Sequence, residues 1–178
     1  MRILLAVLGV VAAAIGAVIA VAALRSGDYA VARTTHTSAA PERVFAVLGD
    51  FHRFAEWSPW QSLDPAMKTT IEGPPATVGS SNAWEGNDQV GAGRMTITEV
   101  KPGEAIVMRL EFLRPFPSTS TATWSVKGTP DGGSDVTWSM HGRNDALIGK
   151  VFAMLAMDKM LGGTFERGLA SLKTVVEK

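Results

Sequence analysis

Residues 3–24, ILLAVLGVVAAAIGAVIAVAAL, contain no polar side chain. A helix on the surface of a soluble domain keeps one polar face, whereas this segment is apolar all round. As a helix at ~1.5 Å per residue it reaches ~33 Å, enough to cross a hydrocarbon core of ~30 Å. Arg2 and Arg25 flank it. Two readings fit. One is a retained membrane anchor, since the run exceeds the ~7–15 apolar residues of a signal peptide. The other is a cleavable signal peptide, for which Ala20-Val21-Ala22 offers a small-x-small site. The retained anchor is the expectation carried forward. It gives a single-pass protein of a bacterial inner membrane, or a secreted or periplasmic one if the segment is cleaved.

Beyond a short polar linker the pattern changes to alternation. YAVARTTHT (29–37) is rich in β-branched residues and predicts a strand. In SAAPERVFAVLGD, Pro41 suits a first helical turn and Val44, Phe45, Val47 and Leu48 form an apolar stripe. FHRFAEW predicts a second short helix, stopped by Ser58-Pro59. Five further strands and the short MKTTIEG follow, broken by turn sequences such as Pro102-Gly103 and GTPDGG. Ala122, Trp124 and Val126 share one strand face, as do Val136, Trp138 and Met140, while Thr, Ser, Asp, Lys and His occupy the other. That is an antiparallel sheet with one apolar face. From Asp145 onward, apolar residues recur at three- and four-residue steps and predict a long C-terminal helix, with a kink or split expected at Gly162-Gly163. The expected division is an anchor over 1–25, a linker over 26–28 and one α+β domain over 29–178, with the long helix laid on the apolar face of a curved sheet.

Composition narrows the function classes. Seventeen basic and seventeen acidic residues cancel, so there is no electrostatic footprint for nucleic acid. The chain has no cysteine, which excludes disulfides, thiol catalysis and thiolate metal sites. No nucleophile-elbow, HExxH or P-loop pattern occurs. VGAGR leads into a strand rather than a helix, so it is not expected to cradle phosphate. His52 and Glu56 are four apart on a short helix, but two ligands without a third do not make a metal site. Glu85, Asp88 and Glu99 fall at turns or on strands, and His141 falls on the polar strand face. Asp158 falls on the apolar helical stripe, where a carboxylate could meet a ligand or act as a general base; a phase change at the glycines would instead turn it to water. No cofactor, metal or catalytic residue is therefore expected.

The aromatic and methionine residues carry the stronger signal. Trp84, Trp124, Trp138, Met95, Met108 and Met140 can face the concavity, and Met154 and Phe165 sit on the helix opposite. Each taken alone suits ordinary core packing. Together on a curved sheet they suit a ligand cavity, with Trp57 and Trp60 of EWSPWQSLDP capping one end around a rigid Pro59.

The order of elements resembles the helix-grip fold of the START/Bet v1-like (SRPBCC) superfamily. EWSPWQSLDPAMK, SNAWEGNDQVGAGRMTITEV and MDKMLGGTFERGLASLK resemble its polyketide cyclase/dehydrase-like branch over about residues 29–177. The resemblance implies a hydrophobic cavity between sheet and long helix, and it implies no particular reaction. The leading expectation is a membrane-anchored module that binds a lipid or other small hydrophobic molecule through Trp57, Trp60, Trp84, Met95, Met108, Trp124, Trp138, Met140, Met154, Asp158 and Phe165. The alternatives are a polyketide cyclase/dehydratase-like enzyme acting on a hydrophobic substrate, and an interaction module with a collapsed pocket. Polar groups converging inside the pocket would mark an enzyme, and an almost wholly apolar lining would mark a carrier. The oligomeric state is not encoded in any visible pattern.

Overall fold

A computed structural model describes residues 2–178. The N-terminal helix α1 (Arg2–Leu24) stands apart from the domain core, with Ala22 in its last turn as its one buried residue. It is long and apolar enough to cross a membrane, a property it shares with signal sequences. Then come β1 (Asp28–Thr37), α2 (Pro41–Gly49), a 3-10 turn (Phe51–Glu56) and strands β2 (Lys68–Glu72), β3 (Ser81–Glu85), β4 (Ala92–Lys101), β5 (Ala105–Arg114), β6 (Ser118–Gly128) and β7 (Ser134–Arg143). Helices α3 (Leu147–Leu155) and α4 (Met157–Val176) close the chain.

The strands form one antiparallel sheet in the order β1-β7-β6-β5-β4-β3-β2. Because β1 pairs with β7, the chain's first strand closes the sheet beside its last. Inward positions alternate as expected: Ala122, Trp124 and Val126 on β6 and Val136, Trp138 and Met140 on β7 are all buried. Pro41 pre-sets the first turn of α2, whose apolar stripe buries Val44, Val47 and Leu48. Asp50 accepts the His52 backbone N–H at 2.9 Å and so starts the 3-10 turn.

The interior has two unlike halves. Toward the β6–β7 turn it is solid: Val44 and Leu48 of α2 meet Ile106, Val126 and Val136 of the sheet and Leu172 and Val176 of α4 in one cluster. Toward the other end, where α1 enters, the aromatic side chains leave a cavity.

The helical tail departs from the expected layout. The break comes at Ala156 (φ −131°, ψ −23°), and α4 runs straight through Gly162-Gly163. At Gly162 the missing side chain serves approach rather than flexibility, because a Cβ there would collide with the Arg33 guanidinium. Arg33 reaches over Gly162 from β1, giving Asp158 a bidentate pair at 3.0 Å through Nη1 and Nη2 and donating from Nε to Glu166 Oε1 at 2.7 Å. At the far end of α4, Glu177 Oε1 accepts the Ser38 backbone N–H at 2.9 Å and the Thr37 hydroxyl at 2.8 Å. Both ends of α4 are thus tied to β1 or its exit by polar contacts, and its middle is held by apolar ones.

Candidate functional site

Six strands, the 3-10 turn, α4 and two loops bring the cavity walls together. Trp124, Trp138 and Met140 come from β6 and β7, Met95 from β4, Leu110 and Phe112 from β5, and Leu161 and Phe165 from α4. The floor is an aromatic stack. Trp138 and Phe165 lie parallel, 4.5 Å between centroids, and Trp124 meets Trp138 edge-on at 5.9 Å. α4 presses this close because residue 168 is glycine: a Cβ would lie 2.7 Å from Trp138 Cζ3 and 3.1 Å from Pro59 Cδ. The cavity volume is about 70 Å³.

Seven of the residues expected from the sequence line this space: Trp60, Trp84, Met95, Trp124, Trp138, Met140 and Phe165. Four lie elsewhere. Trp57 is 1% exposed and sits behind the wall, edge-on to Trp124 at 5.1 Å and Trp138 at 5.5 Å, so it packs the core while Trp60 faces the cavity. Met108 is fully buried in the core and does not line the cavity, although it shares a strand face with Leu110. Met154 belongs to α3, whose phase does not carry through the break at Ala156 into α4. Asp158 turns to solvent, 70% exposed, where the Arg33 guanidinium holds its carboxyl below the usual carboxylate range. Asp158, carried forward as a ligand-binding candidate, faces solvent although α4 shows no phase change at Gly162-Gly163.

Sequence inspection passed over Phe54, Ser58, Asn82, Leu110 and Phe112, all of which line the cavity. The signal for three of them was present. Leu110 and Phe112 continue the phase of Met108, and Asn82 lies two residues before Trp84 on the same strand face.

The polar content of the lining is small and specific. Ser58, Thr69 and Asn82 are its polar residues, and among the described residues none that lines it is ionisable. Ser58 Oγ, Asn82 Oδ1 and Trp124 Nε1 are buried without a hydrogen-bond partner. Leaving such groups unpaired costs about 1–3 kcal/mol each. Among the described residues, the cavity wall offers the Ser58 hydroxyl no ionisable neighbour. Among the described residues no cluster of His, Cys, Asp and Glu can hold a metal ion. Glu56 pairs with Arg53 at 2.8 Å, and His36 lies between Asp131 and Asp135 at 3.2 and 3.1 Å, on the exposed edge of the sheet.

The mouth is framed by half-buried Trp60, Met67, Trp84, Val90, Phe112 and Leu161. Two loops are latched across it. The Asn87 backbone N–H donates to Asp64 Oδ2 at 2.7 Å, and Asn87 Nδ2 donates to the Leu63 carbonyl at 3.2 Å.

Solved structures share this architecture. A protein from Chromobacterium violaceum superposes with a TM-score of 0.62 at 19% identity, over 84% of this chain and 98% of its own. One from Nitrosospira multiformis gives 0.62 at 19% identity, over 83% and 95%. DynU16, of the dynemicin biosynthetic locus, gives 0.60 at 15% identity, over 84% of this chain and 47% of its own. At these identities the likeness is one of fold. Among curated proteins none matches the chain. The family described as "polyketide cyclase / dehydrase and lipid transport" matches residues 29–177, from the first residues of β1 to the end of α4. Sheet, long helix and cavity all fall within that match, and the chain belongs to this family.

Proposed function

We propose that the protein is held at a membrane by α1 and binds, without transforming it, a small and largely hydrophobic molecule bearing one hydroxyl or carbonyl group. The observation that carries this reading is the lining: aromatic, methionine and aliphatic side chains with three neutral polar residues and no ionisable one among the described residues. General acid-base or nucleophilic chemistry needs a titratable group within hydrogen-bond reach of the reacting atoms. The unpartnered Ser58 hydroxyl, Asn82 carbonyl oxygen and Trp124 N–H suit a ligand that donates or accepts a hydrogen bond. The family description, which includes lipid transport, supports the same direction.

The cavity is small beside the roughly 300–1,000 Å³ of drug-sized ligand pockets. A lipid-sized guest therefore needs the walls to yield. Met67, Met95 and Met140 are the wall residues best able to do so, being unbranched and rotamer-rich. Native mass spectrometry of the full chain from mild detergent tests the reading. It should show a retained apolar small molecule, and tryptophan fluorescence should respond saturably to added hydroxylated or carbonyl-bearing apolar compounds. Absence of both effects rejects the binding function.

A further inference from the structure

The end of the domain at which α1 enters carries an apolar surface that the fold leaves uncovered. Strand register fixes which segments share that end. Tyr29 pairs with Gly142 and Gly142 with Ser120, so the start of β1, the end of β7 and the start of β6 lie side by side. Ala92 pairs with both Glu85 and Arg114, which adds the β3–β4 and β5–β6 turns. Near the end of β5 Leu113 is 62% exposed, on the β5–β6 turn Phe116 is 81% exposed, and on α3 Ile148 is 82% and Leu155 63% exposed. α3 contains no buried residue although its sequence, LIGKVFAML, is almost wholly apolar. A helix of that composition finds no use in the domain's own core.

We propose that this end docks on the lipid bilayer, with α3 lying along the boundary between headgroups and acyl chains and Phe116 inserted beside it. The cavity mouth then looks toward lipid. The proposal rests on the reading of α1 as a retained anchor. The tether picks out a bilayer as the occupant. Residues 25–27 alone separate α1 from β1, and even fully extended they hold the domain within ~10 Å of the end of the span. They are not free to extend. The Arg25 carbonyl accepts from Lys150 Nζ at 3.0 Å and the Gly27 carbonyl accepts from the Asn144 N–H at 2.9 Å. α1 packs on α3 near its buried Ala22. The apolar face of α3 therefore begins where the apolar span ends.

Two further features agree. Phe112, at the cavity mouth, lies four residues before the exposed Phe116 of the β5–β6 turn, so mouth and apolar surface share this end of the sheet. Arg143 pairs with Asp145 at 2.6 Å and Asp28 at 3.7 Å, and Arg114 pairs with Glu85 at 3.6 Å, whereas Arg25 and Lys150, where α1 meets α3, have no carboxylate partner among the described residues. Docking then draws on apolar insertion, with Arg25 and Lys150 placed to meet headgroup phosphates.

The chain has no cysteine, so single-cysteine variants can each carry one reporter. The full chain, bearing Ala13→Cys, Phe116→Cys, Ile148→Cys or Lys127→Cys, is labelled with an environment-sensitive fluorophore and reconstituted into phosphatidylcholine vesicles containing acyl-chain nitroxide lipid. The labels at positions 13, 116 and 148 should lose fluorescence to the nitroxide, while the label at 127, in the solid half, should not. Quenching at 13 without quenching at 116 and 148 overturns the docking and leaves the anchor standing. Lack of quenching at 13 shows that the anchor reading has failed; quenching at 116 and 148 would still support docking, and none there would overturn it too. Blue-shifted but unquenched labels at 116 and 148 mark a surface covered by a second copy of the chain, and also overturn the proposal.

Discussion

Trp138 and Phe165 stack with their ring planes 7° apart and their centroids separated by 4.5 Å, one from the sheet and the other from α4. This contact sets the distance between helix and sheet at the floor of the cavity. Phe165 is 1% exposed, so its truncation removes both its buried surface and the face on which Trp138 rests. Phe165→Ala is expected to cost about 3–5 kcal/mol, measured by denaturant unfolding of the full chain in detergent. A loss below about 1 kcal/mol would show that the walls collapse to refill the space, and that the stack is not what spaces α4 from the sheet.

Leu161 stands at the mouth, half-buried, on the first turns of α4. Leu161→Trp puts a larger ring into an opening that has space for it, so folding should be little affected. Ligand affinity should fall at least tenfold, about 1.4 kcal/mol. Fluorescence titration beside a melting curve separates the two effects. Unchanged affinity at unchanged melting temperature would place ligand entry elsewhere.

Asn82 lines the cavity, and its Oδ1 is buried without a hydrogen-bond partner. Asn82→Leu removes the unpaired group, so the empty protein should gain stability, by up to about 1–3 kcal/mol. The same change should weaken binding of hydroxyl-bearing ligands more than that of matched hydrocarbons. Such a trade of stability against function is common at binding sites. Equal losses for both ligand types would mean that Asn82 does not read the polar group.

The Glu177 carboxylate accepts hydrogen bonds from the Ser38 backbone and the Thr37 hydroxyl, and these hold its carboxyl below the ordinary range. Because the folded-state value is the depressed one, the stabilisation is complete above the unfolded value of about 4.3 and is lost as the pH falls through the folded one. Asp158 beside Arg33, and Asp131 with its Thr129 and Gly133 partners, act in the same direction. Unfolding midpoints followed from neutral pH downward should therefore decline in the acid range. Glu177→Gln should flatten part of that decline; an identical slope would show that Glu177 contributes none of it.

Most of the sheet was legible in the sequence because period-two alternation is a local property. Trp124 with Val126 and Trp138 with Met140 could be assigned to one face from spacing alone. The helical tail was not, since whether a glycine pair breaks a helix depends on what approaches it. Gly162 faces the Arg33 guanidinium, 129 residues earlier in the chain, and no local pattern reports that. The two tryptophans of EWSPWQSLDP show a similar limit. Composition marks both as buried or pocket-lining, but the turn that sends Trp57 into the core and Trp60 to the cavity is a matter of three-dimensional register. Asn82 was passed over because a polar residue on an inward strand position looks like an exception until its neighbours are known.

The division of the interior into a solid and a hollow half bears on how such a domain changes over generations. Cooperative folding is secured mainly by the packed end, where Val44, Leu48, Ile106, Val126, Val136, Leu172 and Val176 meet. Substitutions at Met67 or Val90, which line the hollow and lie outside the core cluster, reshape it without disturbing that packing. Selection can therefore reshape the hollow while the capacity to fold is inherited intact. A scaffold arranged in this way diversifies its cavity faster than its architecture, and structures that match over nearly their whole length can have different biochemical roles.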